Sequence, residues 1–248
     1  MLHLDTAGLS DIGKRRANQE DALLVDDEHG LYVVADGMGG HLAGEIASAM
    51  VADTLRAAAC EPECYPPEVT DGSSAPEACR LLAWIRAANR NVRERSQRDE
   101  HCRGMGSTAA ALLFANGRAV AANVGDSPVY RARGGRIEML SAMHTVAADR
   151  AALDLQGLDL PVHFYHMLTR AVGIDAEVEP SILETDVCAG DIFIICSDGL
   201  SNALQPAEML AVVQQAGAQK ACEDMIALAN ARGGDDNITA IVIRVLRV

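Results

Sequence analysis

Aromatic side chains are scarce in this 248-residue chain, with one Trp, four Tyr and three Phe. Stacking platforms for single-stranded nucleic acid are correspondingly few. Cations are outnumbered: 21 Lys and Arg face 35 Asp and Glu, a formal net charge of −14. This balance withholds the basic footprint that nucleic acid requires and disfavours binding to an anionic membrane surface. No apolar run approaches the roughly 18 to 20 residues that span a bilayer. The stretch Met1 to Asp21 lacks the apolar core of a signal peptide. Seven cysteines (Cys60, Cys64, Cys79, Cys102, Cys188, Cys196, Cys222) form no C-x-x-C pair, which argues against a secreted disulfide framework and against a zinc ribbon. A cytoplasmic protein with reduced, mostly buried thiols is expected. The irregular spacing of Cys60, Cys64, Cys79, His101 and Cys102 disfavours a soft-metal site among them.

What is present is a globular composition, 49% hydrophobic and 23% charged, long enough for one full hydrophobic core. A single domain over residues 1–248 is expected. Strands are expected at Asp5–Gly13, Ala22–Val25 and Leu31–Ala35, and a Gly-rich turn then leads into a helix around Ile46, Met50 and Leu55. Residues 61–76 read as a surface insertion, followed by a helix over Glu77–Arg98 with Trp84 in the core. Thr108–Phe114, Ala119–Val124, Val129–Arg133 and Arg136–Leu140 read as one antiparallel meander turning at Asn116-Gly117 and Gly134-Gly135. Residues 145–167 lack a clean period and read as an excursion over the surface. Strands at Val178–Val187 and Asp191–Cys196, helices at Pro206–Gln215 and Ala218–Ala231, and a strand at Ile238–Val248 complete the chain. Strands and helices come in separate runs, which favours an α+β layered fold over a parallel doubly wound sheet.

Several Asp residues share one setting, the end of an apolar strand beside Gly or Asn: Ala35-Asp36-Gly37, Gly125-Asp126-Ser127, Ser197-Asp198-Gly199 and, just before a strand, Gly234-Asp235-Asp236-Asn237. Each alone marks a turn. Together they offer rigidly mounted hard oxygen donors suited to Mg²⁺ or Mn²⁺, without the His or Cys that zinc and copper prefer.

The strings Gly13-Lys14-Arg15-Arg16-Ala17-Asn18-Gln19-Glu20-Asp21, Ala35-Asp36-Gly37-Met38-Gly39-Gly40-His41, Gly106-Ser107-Thr108, Asn123-Val124-Gly125-Asp126-Ser127, Leu168-Thr169-Arg170-Ala171-Val172-Gly173, Cys196-Ser197-Asp198-Gly199-Leu200 and Gly234-Asp235-Asp236-Asn237-Ile238-Thr239 occur in that order over nearly the whole chain. The ordered set resembles the metal-dependent serine/threonine protein phosphatases of the 2C type, in their bacterial form. The resemblance implies a central β-sandwich of two antiparallel sheets flanked by helix pairs, a four-layer α-β-β-α arrangement with the metal centre at one end. By position it implies that Asp36 bridges two Mn²⁺ or Mg²⁺ ions and that Gly37 offers a backbone carbonyl. Asp198 and Asp236 complete the other ion's shell, Glu20 acts through water, Asp21 lies in a second shell, and Arg16 grips the substrate phosphate. Asp126, with Asp198, matches the position of a third metal in bacterial relatives, whereas Asp235 is a neighbour and not a ligand.

The implied reaction is hydrolysis of phosphoserine and phosphothreonine in proteins by direct attack of a metal-bridging hydroxide. The implied partners are phosphorylated proteins and a cognate bacterial Ser/Thr kinase, and a monomer is expected. A metal-bound water or His41 is the candidate proton donor, since Met38 stands where some eukaryotic relatives have His. The alternatives are a catalytically weak phosphoprotein-binding module and a small-molecule phosphohydrolase. The chain departs from the pattern at Pro128, where Arg is frequent, at Ser141-Ala142-Met143-His144, which lacks the usual Asp, and in the flap 145–167, which carries His163-x-x-His166. Cys196 reads as buried, no G-x-S-x-G elbow accompanies Ser127 and His144, and Gly37–Gly44 is not a P-loop. With no anchor after Val248, regulation is expected from partners. Setting aside the six acids of the implied site leaves 29 against 21 cations, a balance of −8, expected to favour phosphopeptides with basic flanks.

Overall fold

The computed structural model describes residues 2–39, 43–67, 75–152, 161, 164 and 166–248. Strands β1 (His3–Asp11), β2 (Asp21–Asp26) and β3 (Leu31–Met38) precede helices α1 (Ala43–Cys60) and α2 (Pro76–Arg98). Strands β4 (Gly106–Ser107), β5 (Ala109–Ala115), β6 (Arg118–Val124), β7 (Val129–Arg133) and β8 (Arg136–Met139) come next, then α3 (Val146–Ala152), β9 (Ser181–Asp186) and β10 (Ile192–Cys196). The one-turn helix α4 (Asp198–Ser201), α5 (Pro206–Gln215), α6 (Ala218–Ala231) and β11 (Ile238–Arg247) end the chain. One sheet has the order β1-β11-β10-β7-β8; the other has β2-β3-β5-β6-β9 with β4 on β3. All paired strands run antiparallel.

Period-two alternation builds the layers. Along β3, Tyr32 and Val34 face the space between the sheets, while Leu31, Val33 and Ala35 face α1 and α2. Along β10, Phe193 and Ile195 face inward, while Ile192, Ile194 and Cys196 pack under α5 and α6. The helices meet these outer faces with apolar stripes at three- and four-residue steps: Ala47, Val51, Leu55 and Ala58 on α1, and Leu81, Ile85, Ala88 and Val92 on α2. Pro76 and Pro206 occupy first-turn positions, and Gln205 with Glu208 forms a capping box on α5. Trp84 is buried in the core cluster that α1 and α2 share with the sheet. Three of the few aromatics bridge the sandwich edge to face: Tyr32 to Phe114 with centroids 5.8 Å apart, and Phe114 to Phe193 at 5.2 Å.

The four-layer α+β sandwich agrees with the sequence, but the expected meander does not form as one unit. β5 pairs with β6 in one sheet and β7 with β8 in the other, and between them the chain crosses the sandwich at Gly125, whose φ of +102° favours glycine. The crossing leaves Asp126 at the end of the sandwich. β9 is shorter than expected because Val178 and Val187 lie outside the ladder with β6. All seven thiols are free and most are buried, as expected: Cys79, Cys102, Cys196 and Cys222 lie inside, whereas Cys60, Cys64 and Cys188 are exposed. No described helix is long and apolar enough to cross a membrane.

Phe193, fully buried, touches both the aromatic bridge and the inner face. Phe193→Ala is expected to lower unfolding free energy by about 3–5 kcal/mol, measured by urea titration. A loss under about 1 kcal/mol would mean that the site collapses or that the sandwich core does not depend on this ring.

Candidate metal centre

The inward stripes stay apolar through the sandwich and turn polar at one end. Val25 and Leu23 lead to Asp21, Tyr32 and Val34 to Asp36, and Phe114, Leu112 and Ala110 to Thr108. From the other sheet, Phe193 and Ile195 lead to Ser197, and Val245, Ile243 and Ile241 to Thr239. Asp21 and Asp36 stand directly opposite one another in the β2–β3 register. The Oδ2 of Asp21 accepts hydrogen bonds from the Ser197 hydroxyl (2.7 Å) and the Thr239 hydroxyl (2.6 Å). Because Thr239 donates to Asp21, Ser10, 2.6 Å away, donates to Thr239, and Gln19 in turn donates to Ser10. The Asp36 N–H donates to Thr108 Oγ1 (2.9 Å), which shares a further bond with Ser127 (2.7 Å). Ser127 and Ser197 are therefore scaffold hydroxyls, wholly buried.

Beyond this layer lies a cleft of about 300 Å³ lined by Arg16, Glu20, Asp36, Gly37, Asp126, Asp198 and Asp236, with Met38, Thr108 and Leu168 among its walls. Gly37 is required by space: a Cβ there would lie 2.0 Å from the Gly44 carbonyl oxygen and 2.6 Å from that of Glu20. The Gly37 N–H donates to this same Glu20 carbonyl (3.0 Å). Asp198 opens α4 directly after β10, and the Asn202 side chain donates to its Oδ2 (3.2 Å). Asp236 accepts at Oδ1 from the Asn237 N–H (2.8 Å) and at Oδ2 from Arg16 Nη2 (2.6 Å). Arg16, half-exposed at the mouth, also lies 4.0 Å from Glu20. Asp235 points away, exposed and 3.6 Å from Arg15.

The electrostatics are those of carboxylates held together with too little positive charge. Burial raises the Asp36 carboxyl well above its ordinary range, and Asp21, Asp198, Asp126 and Asp236 add to the effect. Burial and Asp198 push Asp126 to about 7; burial takes Asp21 to about 6 despite its two hydroxyl donors. Asp198 is raised by burial and by Asp236, and Glu20 is raised chiefly by burial although Arg16 opposes this. The buried Oδ1 atoms of Asp21 and Asp198 have no hydrogen-bond partner. Clustered hard oxygens with unsatisfied lone pairs fit Mn²⁺ or Mg²⁺, and Asp36, Asp198, Asp236 and Asp126 are placed to hold such ions.

Sequence reasoning assigned no role to three positioning residues. Asn237 ties the 12–20 loop to the start of β11: its Nδ2 donates to the carbonyls of Ile12 (2.9 Å) and Asn18 (3.0 Å), and its Oδ1 accepts from the Glu20 N–H (2.8 Å). Thr108 fixes the Asp36 backbone. Buried His144 clamps the sheet crossing: its Nδ1 accepts from the Gly125 N–H (3.2 Å), so Nε2 carries the proton and donates to Ser181 (2.7 Å). Burial and the nearby Arg170 guanidinium lower the affinity of this imidazole for a second proton. All three occur within or beside the quoted motifs, but sequence alone does not show what they bond. His166 lines an adjoining pocket with Asp126, Asp198 and Met143. His41 and His163 lie outside the described residues.

A family model described as protein phosphatase 2C matches residues 7–241. The serine/threonine protein phosphatase PstP of Mycobacterium tuberculosis is 31% identical over 250 residues, which cover 99% of this chain and 46% of that protein. The chain thus spans about half the length of this curated relative. Among solved structures, PppA, described as a key regulatory component of T6SS in Pseudomonas aeruginosa, aligns at a TM-score of 0.81 with 33% identity over 98% of both chains. The catalytic domain of PstP in complex with two manganese ions aligns at 0.84 with 31% identity, covering 99% of this chain and 100% of that one.

Asp21 and Asp126 bind protons more tightly folded than unfolded. Their contribution to stability is therefore full below about pH 4 and is lost as pH rises through about 6 and 7. With chelator present, the melting temperature is expected to fall between about pH 5 and 7.5 relative to the Mn²⁺-loaded protein, and Mn²⁺ is expected to raise it most at the higher pH. Thermal unfolding at both pH values, with and without Mn²⁺, measures this; equal Mn²⁺ shifts at both would contradict it.

Proposed function

The chain belongs to the protein phosphatase 2C family, and from that premise we propose that it hydrolyses phosphoserine and phosphothreonine in proteins at this acidic cleft. The observation that carries the proposal is the convergence of Asp36, Asp198, Asp236 and Asp126 around one opening, with unsatisfied carboxylate oxygens and Arg16 at its mouth. Asp36 would bridge two ions, with the Gly37 carbonyl on one of them and Asp198 and Asp236 on the other. Glu20 and Asp21 would act through water, and Asp126 with Asp198 would hold a third. When bound, Mn²⁺ or Mg²⁺ supplies charge neutralisation and water activation for a phosphate monoester.

The chain's own groups do the rest. Arg16 offers a planar fork to the phosphate, which takes the place of the Asp236 carboxylate at Nη2. Side-chain nucleophiles are withheld: Ser127, Ser197 and Thr108 are buried and hydrogen-bonded, and burial holds the Cys196 thiol protonated. With these groups withheld and the carboxylates assigned to the ions, water is the nucleophile of this reading, and no covalent phosphoenzyme is needed. The acidic exterior favours substrates with basic flanks. A cytoplasmic setting opposite a Ser/Thr kinase, in a single monomeric catalytic domain with a flap at 145–167 and an insertion at 61–76, completes the proposal; free cysteines support it.

Turnover of phosphothreonine peptides with Mn²⁺ is expected to disappear on chelation and to fall at least about 1,000-fold in Asp36→Asn, since the charge stabilisation at stake is several kcal/mol. Arg16→Ala is expected to raise KM, with incomplete rescue by Arg16→Lys. Full activity of Asp36→Asn in chelator would overturn the metal-dependent reading. Binding of phosphopeptide without turnover would favour the binding module, and preference for sugar phosphates would favour the small-molecule hydrolase.

A further inference from the structure

We propose that Asp26, His29 and Cys60 form a second metal site, for a borderline-soft divalent ion of the Zn²⁺ type, at the opposite end of the β2–β3 hairpin from the acidic cleft. Asp26 ends β2, His29 lies in the turn and Cys60 is the last residue of α1. One ligand atom from each lies within 4.8 Å of the other two. Along β2, Asp26 is five residues from Asp21, about 16 Å in an extended strand, so the two sites share no ligand.

Three features make this trio more than a crowded turn. The donor set of carboxylate, imidazole and thiol matches zinc-type ions, whereas the cleft offers only hard oxygens. Two donors are already adjacent: the His29 backbone N–H donates to Asp26 Oδ1 (3.1 Å), and His29 Nδ1 hydrogen-bonds Asp26 Oδ2 (2.8 Å), a contact that the ion would replace. The third donor sits at the C-terminal end of α1, where the helix dipole is negative and no basic residue occupies the last turn. Asp27 and Glu28 add negative charge to the depression beside it; Arg56, also lining it, lies 3.8 Å from Asp53. Donors around tetrahedral zinc stand about 3.5 Å apart, so the trio must draw in by up to about 1 Å to take the ion, and the Cys60 thiol is exposed at the helix end. Binding releases the thiol proton to solvent, moves the proton between His29 Nδ1 and Asp26 Oδ2 by solvent exchange to Nε2, and leaves a coordination position open. Occupied, the site pins the end of α1 to the hairpin whose other end carries Asp21 and Asp36.

Cobalt(II) titration of the full chain, reduced with a phosphine, separates this site from the cleft, because only sulfur ligation gives a near-ultraviolet thiolate-to-metal band. About one equivalent of Co²⁺ is expected to develop the band, and Zn²⁺ is expected to displace it. Cys60→Ser should abolish it, His29→Ala should weaken Co²⁺ affinity about tenfold or more, and Asp36→Asn should retain it. Absence of the band in the unaltered protein, or its survival in Cys60→Ser through Cys64 or Cys188, would overturn the site. Loss of the band in Asp36→Asn would overturn its independence from the cleft.

Discussion

The molecule depends on one coincidence of register: the strands that fill the sandwich with apolar residues all turn polar at the same end. Because side chains alternate with a period of two, a single slip of β2 against β3 would carry Leu23 and Val25 out of the core and separate Asp21 from Asp36 in the same movement. Core and centre are therefore specified together. Every residue that stabilises the inter-sheet packing also fixes the spacing of the carboxylates, and the Asp21–Ser197–Thr239 bonds join the two sheets at the point where the hydrocarbon stops.

That layer also divides polar groups into two kinds. The hydroxyls of Ser10, Thr108, Ser127, Ser197 and Thr239 are paired among themselves and with backbone or carboxylate, as buried polar groups usually are. The carboxylates above them are not all paired: Asp21 and Asp198 each keep a buried oxygen with no partner. A fold that satisfies its hydroxyls and leaves its charges short concentrates the violation where a ligand can relieve it. Arg16 relieves part of it, but as a half-exposed side chain on the 12–20 loop it is a movable counter-ion and not a fixed one.

Much of this was legible in the sequence because it was local. Continuous apolar runs at Leu31–Ala35 and Ile192–Cys196, helical spacing in α1 and α2, and Pro at the start of α5 each announce their element. The recurrence of Asp at strand ends pointed to one centre, and the motif order named the family. Information that resides in long-range pairing was not legible. Hairpin signals around Asn116-Gly117 and Gly134-Gly135 are real, yet nothing local says that β6 and β7 belong to different sheets; that is set by which inward faces meet across the core. The bonds of Asn237 to Ile12, Asn18 and Glu20 join residues at opposite ends of the chain. Cys60 likewise reads as one of seven scattered thiols until α1 is laid across the hairpin and brings it to His29.

The departures from the family pattern follow the same division between core-mounted and loop-mounted groups. Asp21 and Asp36 lie on strands, and Asp198 and Asp236 directly adjoin β10 and β11, so core packing fixes their positions. Pro128 and Ser141–His144 lie on the crossing and the connection beyond β8, where the backbone keeps its bonds: the Cys196 N–H still donates to the Pro128 carbonyl (3.2 Å), and the His144 N–H to that of Gly125 (2.9 Å). Replacing an Arg by Pro128 removes a side-chain donor without altering the strand pairing that holds Asp126 near Asp198. The rim formed by Met143, α3, His166 and Leu168 stands away from the strands, whereas the carboxylates lie on or directly beside them, so the rim can change its chemistry while the carboxylates stay in place.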